Sequence, residues 1–390
     1  MITVTEALDA LFALVSPLAT EDVPLRHANG RVLARDVAAQ RTQPPFAASS
    51  MDGYAVKAAE VEADALFKVI GESAAGHRWD GVVGAGQAVR IFTGAPVPQG
   101  ADFVVIQEDT IRRGDLITLG RNVGSKDNIR AAGVDFTKGT PLSAPRLLTP
   151  ADIALLASMN IADVPVVRRP VVSLISTGDE LVMPGEAPGP DQIIASNTFG
   201  LAAMLEDLGA HPRILPIAAD TEGSLRAAFD LAKGSDLVIT VGGASVGDHD
   251  LVAPVAAEMG MEQSFYKVAM RPGKPLMAGR LSGMPMVGLP GNPVSAMVCG
   301  SVFIAPLVRA MQGLPKTAAP RQKMTLAAPL TANGPREHYM RGTTTAQGVI
   351  SADLQDSSLL SVLSTSDVLI VRPAGDPARA IGDVVETIAI

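Results

Sequence analysis

The sequence predicts a multidomain α/β protein. A doubly wound, mostly parallel-sheet domain is expected over residues 171–318, joined to β-rich, barrel-like domains and to a discontinuous α+β domain at the N-terminal end. Three observations predict this. The chain has 390 residues, which suits two or three domains at roughly 150 residues each. Residues 171–318 alternate nearly continuous apolar strands with helical segments, the pattern of a parallel sheet covered on both faces. The flanking regions are short β-rich runs cut by Gly, Pro and Asp, as in small barrels or sandwiches.

The elements follow in order. In MITVTEALDALFALV, Thr3 and Glu6 fit a capping box, and Leu8, Leu11, Leu14 and Val15 share one helical face. The segment contains acids and no positively charged opening, so it does not read as a signal peptide. Short strand-like pieces continue to Gln43-Pro44-Pro45. Residues 46–132 carry AVRIF (88–92), DFVVIQE (102–108) and DLITLG (115–120), which predict a small antiparallel barrel or sandwich. Helical character returns in ADIALLASMN (151–160), so residues 46–132 read as an insertion between residues 1–45 and 133–170.

VVSLIST (171–177) then reads as a buried strand and SNTFGLAAMLEDLG (196–209) as a capped helix ending at Gly. RILPIA, TEGSLRAAFDLAKG and DLVITVGG (236–243) give strand, helix and buried strand. DLVAPVAAEMG is a helix, SFYKVAM and PMVGL are strands, and PVSAMVCGSVFIAPLVRAM is a closing helix. Residues 319–390, with VLIVRP (368–373) and VVETIAI (384–390), form a C-terminal β-barrel domain.

Composition narrows function by exclusion. The net charge is −8, against a dedicated nucleic-acid binder. Cys299 is the single cysteine and the five histidines are scattered, which excludes disulfide frameworks and Cys-ligated zinc or iron–sulfur sites. A metal would be a hard cation on carboxylates, with magnesium the first choice. Residues 284–308 carry no charge, but four prolines and Asn292 interrupt them, so a buried strand, turn and helix fit better than a membrane span. A cytoplasmic protein is expected. Cys299, inside an apolar helix, reads as a buried inert thiol.

In an open α/β sheet, ligands bind beyond the carboxyl ends of the strands. Two loops at such ends are rich in small and acidic residues: Ser176-Thr177-Gly178-Asp179-Glu180, and residues 242–250 with Gly242, Gly243, Ser245, Gly247, Asp248, His249 and Asp250. Backbone N–H groups there could hold an anion, and Asp248 and Asp250 could add Mg²⁺ capacity. A Gly-rich turn with N-capping acids is the plainer alternative, and His249 reads as an exposed or capping residue. The glycine spacing is not a dinucleotide fingerprint, and Arg271-Pro272-Gly273-Lys274-Pro275 is not a Walker A loop. Still, Lys267, Arg271 and Lys274 gather positive charge at a strand end. Pro290, Gly291 and Pro293 form a stiff turn before the closing helix. SMDGYA (50–55) and TGAPVP (93–98), taken singly, are ordinary turn sequences.

Together these segments are specific. SMDGYA, TGAPVP, IRAAGVDF (129–136), STGDEL (176–181), GGASVGDHD (242–250), RPGKP (271–275) and LPGNPVS (289–295) occur in this order. The set closely resembles the MoeA-type molybdopterin molybdenumtransferase family, which includes the E domain of gephyrin, and the likeness runs over nearly the whole chain. It implies a middle domain of the MogA-like kind. It also implies a reaction in which adenylylated molybdopterin and molybdate give molybdenum-loaded cofactor and AMP with Mg²⁺.

By position, the resemblance assigns Asp52, Thr93, Glu180 and Asp250 to catalysis, and Asp52, Glu180, Asp248 and Asp250 to the metal. Asp135 and Asp220 become substrate-site carboxylates. Gly242, Gly243, Ser245 and Gly247 become the phosphate loop, with Lys267, Arg271, Lys274, Pro290 and Pro293 around it. In the C-terminal domain, Arg336 and Arg341 of GPREHYMRG resemble a G-R-x-E-[FY]-x-R run, and Ser364 resembles a serine near molybdate. Two positions depart from the pattern: Ala47-Ala48 stand where Asp-Asn is frequent, and Arg271 where Lys is common.

The resemblance further implies an elongated homodimer whose cleft is completed by Asp52 and Thr93 of the partner. A molybdopterin adenylyltransferase and apo-molybdoenzymes would be transient partners, with no nucleic-acid or membrane partner. Two competing readings are the preceding adenylylation of molybdopterin, since the middle domain is shared with those enzymes, and a non-catalytic scaffold.

Overall fold

The computed structural model describes residues 1–243 and 251–390. Its centre is a six-stranded sheet in the order 211–214, 171–176, 237–241, 284–289, 277–281 and 262–266. The first four strands are parallel; the last two pair antiparallel. Alternation along each strand feeds two cores. Leu237, Ile239 and Val241 join one face, while Val238 and Met286 join the other. The helices Glu222–Leu231 and Val252–Glu258 pack on the second face. The first face takes Asn197–Asp207 and the long closing helix.

That closing helix, Pro293–Met311, is long and apolar enough to cross a membrane, yet 78% of it is buried in the protein. It is therefore a core helix, which explains the uncharged run at 284–308. Cys299 lies within it, fully buried, and burial pushes its thiol far above the ordinary thiol range.

The N-terminal helix Val4–Ala13 starts at the expected reciprocal Thr3–Glu6 box. Leu8, Leu11, Leu14 and Val15 are all buried, but in the core of the central sheet rather than with residues 133–170. After it, Thr20–Pro24 and Val32–Leu33 pair with Asp163–Val167 and Arg146–Leu147 in one four-stranded sheet. The chain thus leaves that sheet and returns to it around an intervening β region.

The β region is a six-stranded sheet: Phe103–Ile106, Gly53–Val56, Gln87–Ile91, Leu66–Ser73, Leu116–Leu119 and Thr110–Arg113. It is not wholly antiparallel as expected, because Leu66–Ser73 and Gln87–Ile91 run parallel across a register shift. In the central sheet Met277–Leu281, a strand absent from the sequence reading, lies between its two antiparallel neighbours.

The C-terminal sheet is built from Glu337–Thr345, Val368–Arg372, Val384–Ala389 and Gln322–Thr325, with Gly348–Ser351 on Glu337–Thr345. Its remaining edge strand comes from elsewhere. Met270–Arg271, which leads into the RPGKP segment, pairs in parallel with Glu337 and His338. This pairing ties the C-terminal sheet to the central domain beside the site described next.

Candidate functional site

A cleft of about 730 Å³ opens at the carboxyl ends of strands 171–176, 237–241 and 284–289. This is where a doubly wound sheet places its ligands. Of the sequence-predicted residues, it brings together Glu180, Asp220, Gly242, Gly243, Pro290 and Pro293.

Its floor is shaped by close backbone packing. Gly242 has φ +94°, and a Cβ there would lie 2.8 Å from the Thr177 carbonyl oxygen. Gly243 has φ +61°, and its Cβ would lie 2.2 Å from a Val252 methyl. Only glycine meets both demands without displacement. The Gly242 N–H donates to Leu289 O at 3.1 Å, so the glycine turn is fixed to the strand that leads into the Pro290 turn. Beside it, Asp179 Oδ1 accepts the Asp220 N–H at 3.0 Å, which docks the Asp220 loop on the Glu180 loop.

Asn197 and Ser358 line the cleft without having been singled out in the sequence, and they join Thr177 and Asn292 of the quoted loops. Asn197 donates to Gly291 O at 2.7 Å. Asn292 donates to Ser357 Oγ at 3.1 Å, and the Val294 N–H to Ser357 O at 3.0 Å. Ser358 then lines the cleft directly. The Thr177 hydroxyl, buried at the cleft, has no hydrogen-bond partner among the described residues. These roles depend on contacts between distant segments, so local motifs carry no sign of them.

Asp52 and Thr93 are not among the residues lining this cleft. They meet on the inserted β sheet, where Asp52 Oδ1 accepts both the Thr93 N–H and the Thr93 hydroxyl at 2.8 Å each. Among the described residues Oδ2 takes no hydrogen bond. The Thr93 bonds, backbone first, hold the Asp52 carboxyl below its ordinary range, with a smaller contribution from the Arg90 charge. Asp135 is exposed, and its N–H donates to Gln43 O at 3.2 Å. It too lies outside the residues lining the cleft.

The cations expected at the site lie on the RPGKP segment and on the C-terminal sheet that pairs with it. Pro275 of the RPGKP segment lines it, while Arg271 and Lys274 are exposed on the same segment. Lys267 has φ +73°, and its ammonium lies 5.2 Å from the Tyr266 ring centroid. Arg341 is buried under residues 355–359. Its backbone N–H donates to Gln355 Oε1 at 3.0 Å, and among the described residues its guanidinium reaches Gln355 and the Leu359 carbonyl, at 3.4 Å each. Arg336 donates to Met270 O at 3.3 Å. Among the described residues none of Arg271, Arg336 and Arg341 has a carboxylate partner within 4.0 Å, whereas Arg372 pairs with Asp376 at 2.5 Å.

His338 is buried amid this group, paired in register with Arg271 on one side and Arg372 on the other. Burial and the surrounding guanidiniums push its pKa down to about 4. Ser364 lies elsewhere, in a small groove with Met297, Leu369 and Ile390, and its hydroxyl donates to Ser361 O at 3.0 Å. Ser245, Gly247, Asp248, His249 and Asp250 lie outside the described residues. Among the described ones no three carboxylate, imidazole or thiol groups converge as a metal site.

Known proteins match this arrangement along its length. Residues 2–160 match the MoeA N-terminal region (domain I and II), 173–310 a probable molybdopterin binding domain, and 323–390 the MoeA C-terminal region (domain IV). A molybdopterin molybdenumtransferase of Haemophilus influenzae is 38% identical over 317 residues, covering 80% of this chain and 78% of the relative. One from Staphylococcus aureus is 30% identical, covering 99% of this chain and 95% of the relative. The crystal structure of the molybdopterin biosynthesis MoeA protein of Pyrococcus horikoshii covers 100% of both chains with a TM-score of 0.87 at 27% identity.

Proposed function

The chain belongs to the MoeA-type molybdopterin molybdenumtransferase family, and on that premise we propose how its residues divide the work. It is a transferase of molybdenum cofactor biosynthesis, and molybdenum insertion is its activity. The finer reading is that adenylylated molybdopterin and molybdate are its substrates, that AMP is released, and that the reaction needs Mg²⁺.

The observation that supports this reading best is the cleft itself. Tightly packed glycine turns stand beside two carboxylates, and Pro275 in the lining belongs to the RPGKP segment that carries the exposed Arg271 and Lys274. A polyanionic substrate suits such a place, because N–H groups and guanidiniums offset its charge. Mg²⁺ is usually held by one or two carboxylates together with substrate phosphates. Glu180 and Asp220, both hard oxygen donors on the cleft wall, fit that demand. When bound, the ion supplies charge neutralisation and polarisation of the phosphoanhydride.

The chain's own residues do the rest. The 242–243 turn and the Asn292–Pro293 turn hold the phosphate end. Arg341, Arg336 and Lys274 attract molybdate. Asp52, ionised and with Oδ2 unbonded among the described residues, orients the attacking oxygen or takes its proton. Since Asp52 and Thr93 do not line the cleft of their own chain, we propose that they serve the cleft of a second copy in a homodimer. A cytoplasmic setting, with an adenylyltransferase upstream and apo-molybdoenzymes downstream, completes the proposal.

The test supplies purified protein with adenylylated molybdopterin, Mg²⁺ and molybdate. AMP release coupled to active cofactor is expected. ATP consumption with unmodified molybdopterin would favour the adenylylation reading, and neither reaction in a folded protein would remove both. The shared site has its own test. Mixing Asp52→Ala with Glu180→Ala subunits should restore part of the activity, and none regained after demonstrated subunit exchange would refute it.

A further inference from the structure

We propose that Arg90 is a positioning residue for the Asp52–Thr93 pair, fixing the backbone on both sides of it and so setting where Asp52 presents its free carboxylate oxygen. The inference rests on the assignment of Asp52 to the reaction.

Arg90 lies on Gln87–Ile91, directly opposite Tyr54 of Gly53–Val56 in antiparallel register. Its guanidinium carbon is 5.1 Å from the Tyr54 ring centroid and 4.7 Å from that of Phe92. One cation therefore contacts two rings, the geometry of a stacked or cation–π clamp. Tyr54 is two residues from Asp52, and Phe92 adjoins Thr93. The same group donates through Nη1 to Gly53 O at 3.2 Å and through Nη2 to Gln107 Oε1 at 2.6 Å. The Gln107 N–H in turn donates to Asp52 O at 3.0 Å. Arg90 therefore touches the residue after Asp52, the residue before Thr93, and the residue that holds the Asp52 carbonyl.

Among the described residues Arg90 forms no ion pair within 4.0 Å, and it is half-buried. A plain sheet contact needs only bulk and β-propensity at this position. A forked planar donor between two rings supplies more. It restrains two neighbouring turns at once, and few side chains other than Arg combine flat stacking with two diverging N–H groups. Misplacing a catalytic group by about 1 Å can cost about 100-fold in rate, so such a tether bears on turnover rather than on substrate binding.

The test is a double-mutant cycle on the full chain, with kcat, KM, the acid limb of the pH profile and the thermal midpoint read for each protein. Arg90→Met keeps much of the apolar bulk and removes the fork and the charge. The expected result is a kcat lower by about 10–100-fold with KM nearly unchanged, and an acid limb moved to higher pH. In the Asp52→Ala background the same change should cost less than about threefold, because a residue acting through Asp52 has nothing left to position. Arg90→Lys, which keeps the charge but not the fork, should recover only a minor part.

Equal losses in both backgrounds, or a loss confined to KM or to thermal stability, would overturn the role of Arg90 and leave that of Asp52 standing. Full turnover by Asp52→Ala alone would overturn both. Should Arg90→Met fail to fold, Gln107→Leu removes the 2.6 Å tether and leaves the stack. It must show a smaller kcat loss that also vanishes with Asp52→Ala, and a loss that persists there overturns the proposal.

Discussion

Asp52 and His338 are both held below their ordinary pKa values, for opposite reasons. At Asp52 two hydrogen bonds from Thr93 stabilise the charged form. At His338 burial and the Arg271, Arg336, Arg341 and Arg372 charges penalise it. The first region therefore holds a negative charge in readiness on the inserted β sheet. The second withholds a positive charge where guanidiniums already crowd, with Asp376 bonded to Arg372 and Arg379 and the Asp356 charge acting on Arg341. A shared direction of shift thus conceals two different tasks: a prepared anion in one place, and a surplus of cations awaiting an anion in the other.

The largest expected effect breaks the first half of this comparison. Asp52→Ala should lower turnover by roughly 10²–10⁴-fold, the range for loss of a positioned acid–base group. The fold and the oligomeric state should persist, because the carboxylate lies at the surface. A steady-state rate close to that of the parent would remove Asp52 from the reaction.

The second prediction concerns His338. Its folded-state pKa of about 4 lies below the ordinary 6.5, so the unfolded chain binds the extra proton first. The contribution of the neutral form is present above pH 6.5 and is lost as pH falls from 6.5 towards 4. At about 1.4 kcal/mol per unit, the loss should approach, at most, about 3.5 kcal/mol. His338→Gln should lose less stability across that window, read as denaturant midpoints at matched pH. Parallel midpoint curves for the two proteins would show that the guanidinium group does not govern this imidazole. Added molybdate should flatten the parent's curve, since an anion beside His338 favours its proton.

How far these regions were legible in the sequence depends on how local their causes are. The Thr3–Glu6 box and the terminal Gly209 were readable because each is closed within a few residues, whereas Ser196, expected as a cap, makes no side-chain cap bond. The glycine turn at 242–243 was readable because strand, small residues and helix follow one another. Met277–Leu281 was not. Gly279 and Arg280 interrupt its apolar run, and its place is set by pairing with two strands on either side. Gly279 is required there by a non-local contact, since a Cβ would lie 2.3 Å from Glu262 O.

The same rule separates the site residues. Glu180 sits in a loop quoted after a strand, while Asp220 was assigned by the family resemblance, and both line the cleft. Ser358 enters the cleft only because the Asn292 turn is bonded to Ser357 of another domain. Ser364 was marked by its position in a motif. Its hydroxyl, however, bonds back to Ser361 O in its own short helix, a common fate of serine in a last turn. Arg90 carried no signal at all, since its value lies in what two strands bring to it.

The smallest prediction divides the Asp52 anion into its two supports. Thr93→Val removes the hydroxyl bond at 2.8 Å and keeps the backbone one. The backbone bond is the larger cause of the lowered pKa, so the Asp52 carboxyl should rise only part of the way back towards 3.8. The sign follows from the direction. A depressed carboxyl favours the folded, ionised form above its unfolded pKa and loses that advantage as pH falls through the folded value. In Thr93→Val the loss therefore begins at a higher pH, and the acid limb of the rate profile moves up with it, with turnover at neutral pH reduced by about tenfold or less. Thr93→Ser keeps the hydroxyl and should track the parent. A carbon-13 titration of the Asp52 carboxyl reads this directly. A Thr93→Val curve superimposed on the parent's would mean that the backbone alone prepares the charge, and that the hydroxyl of Thr93 faces the substrate instead.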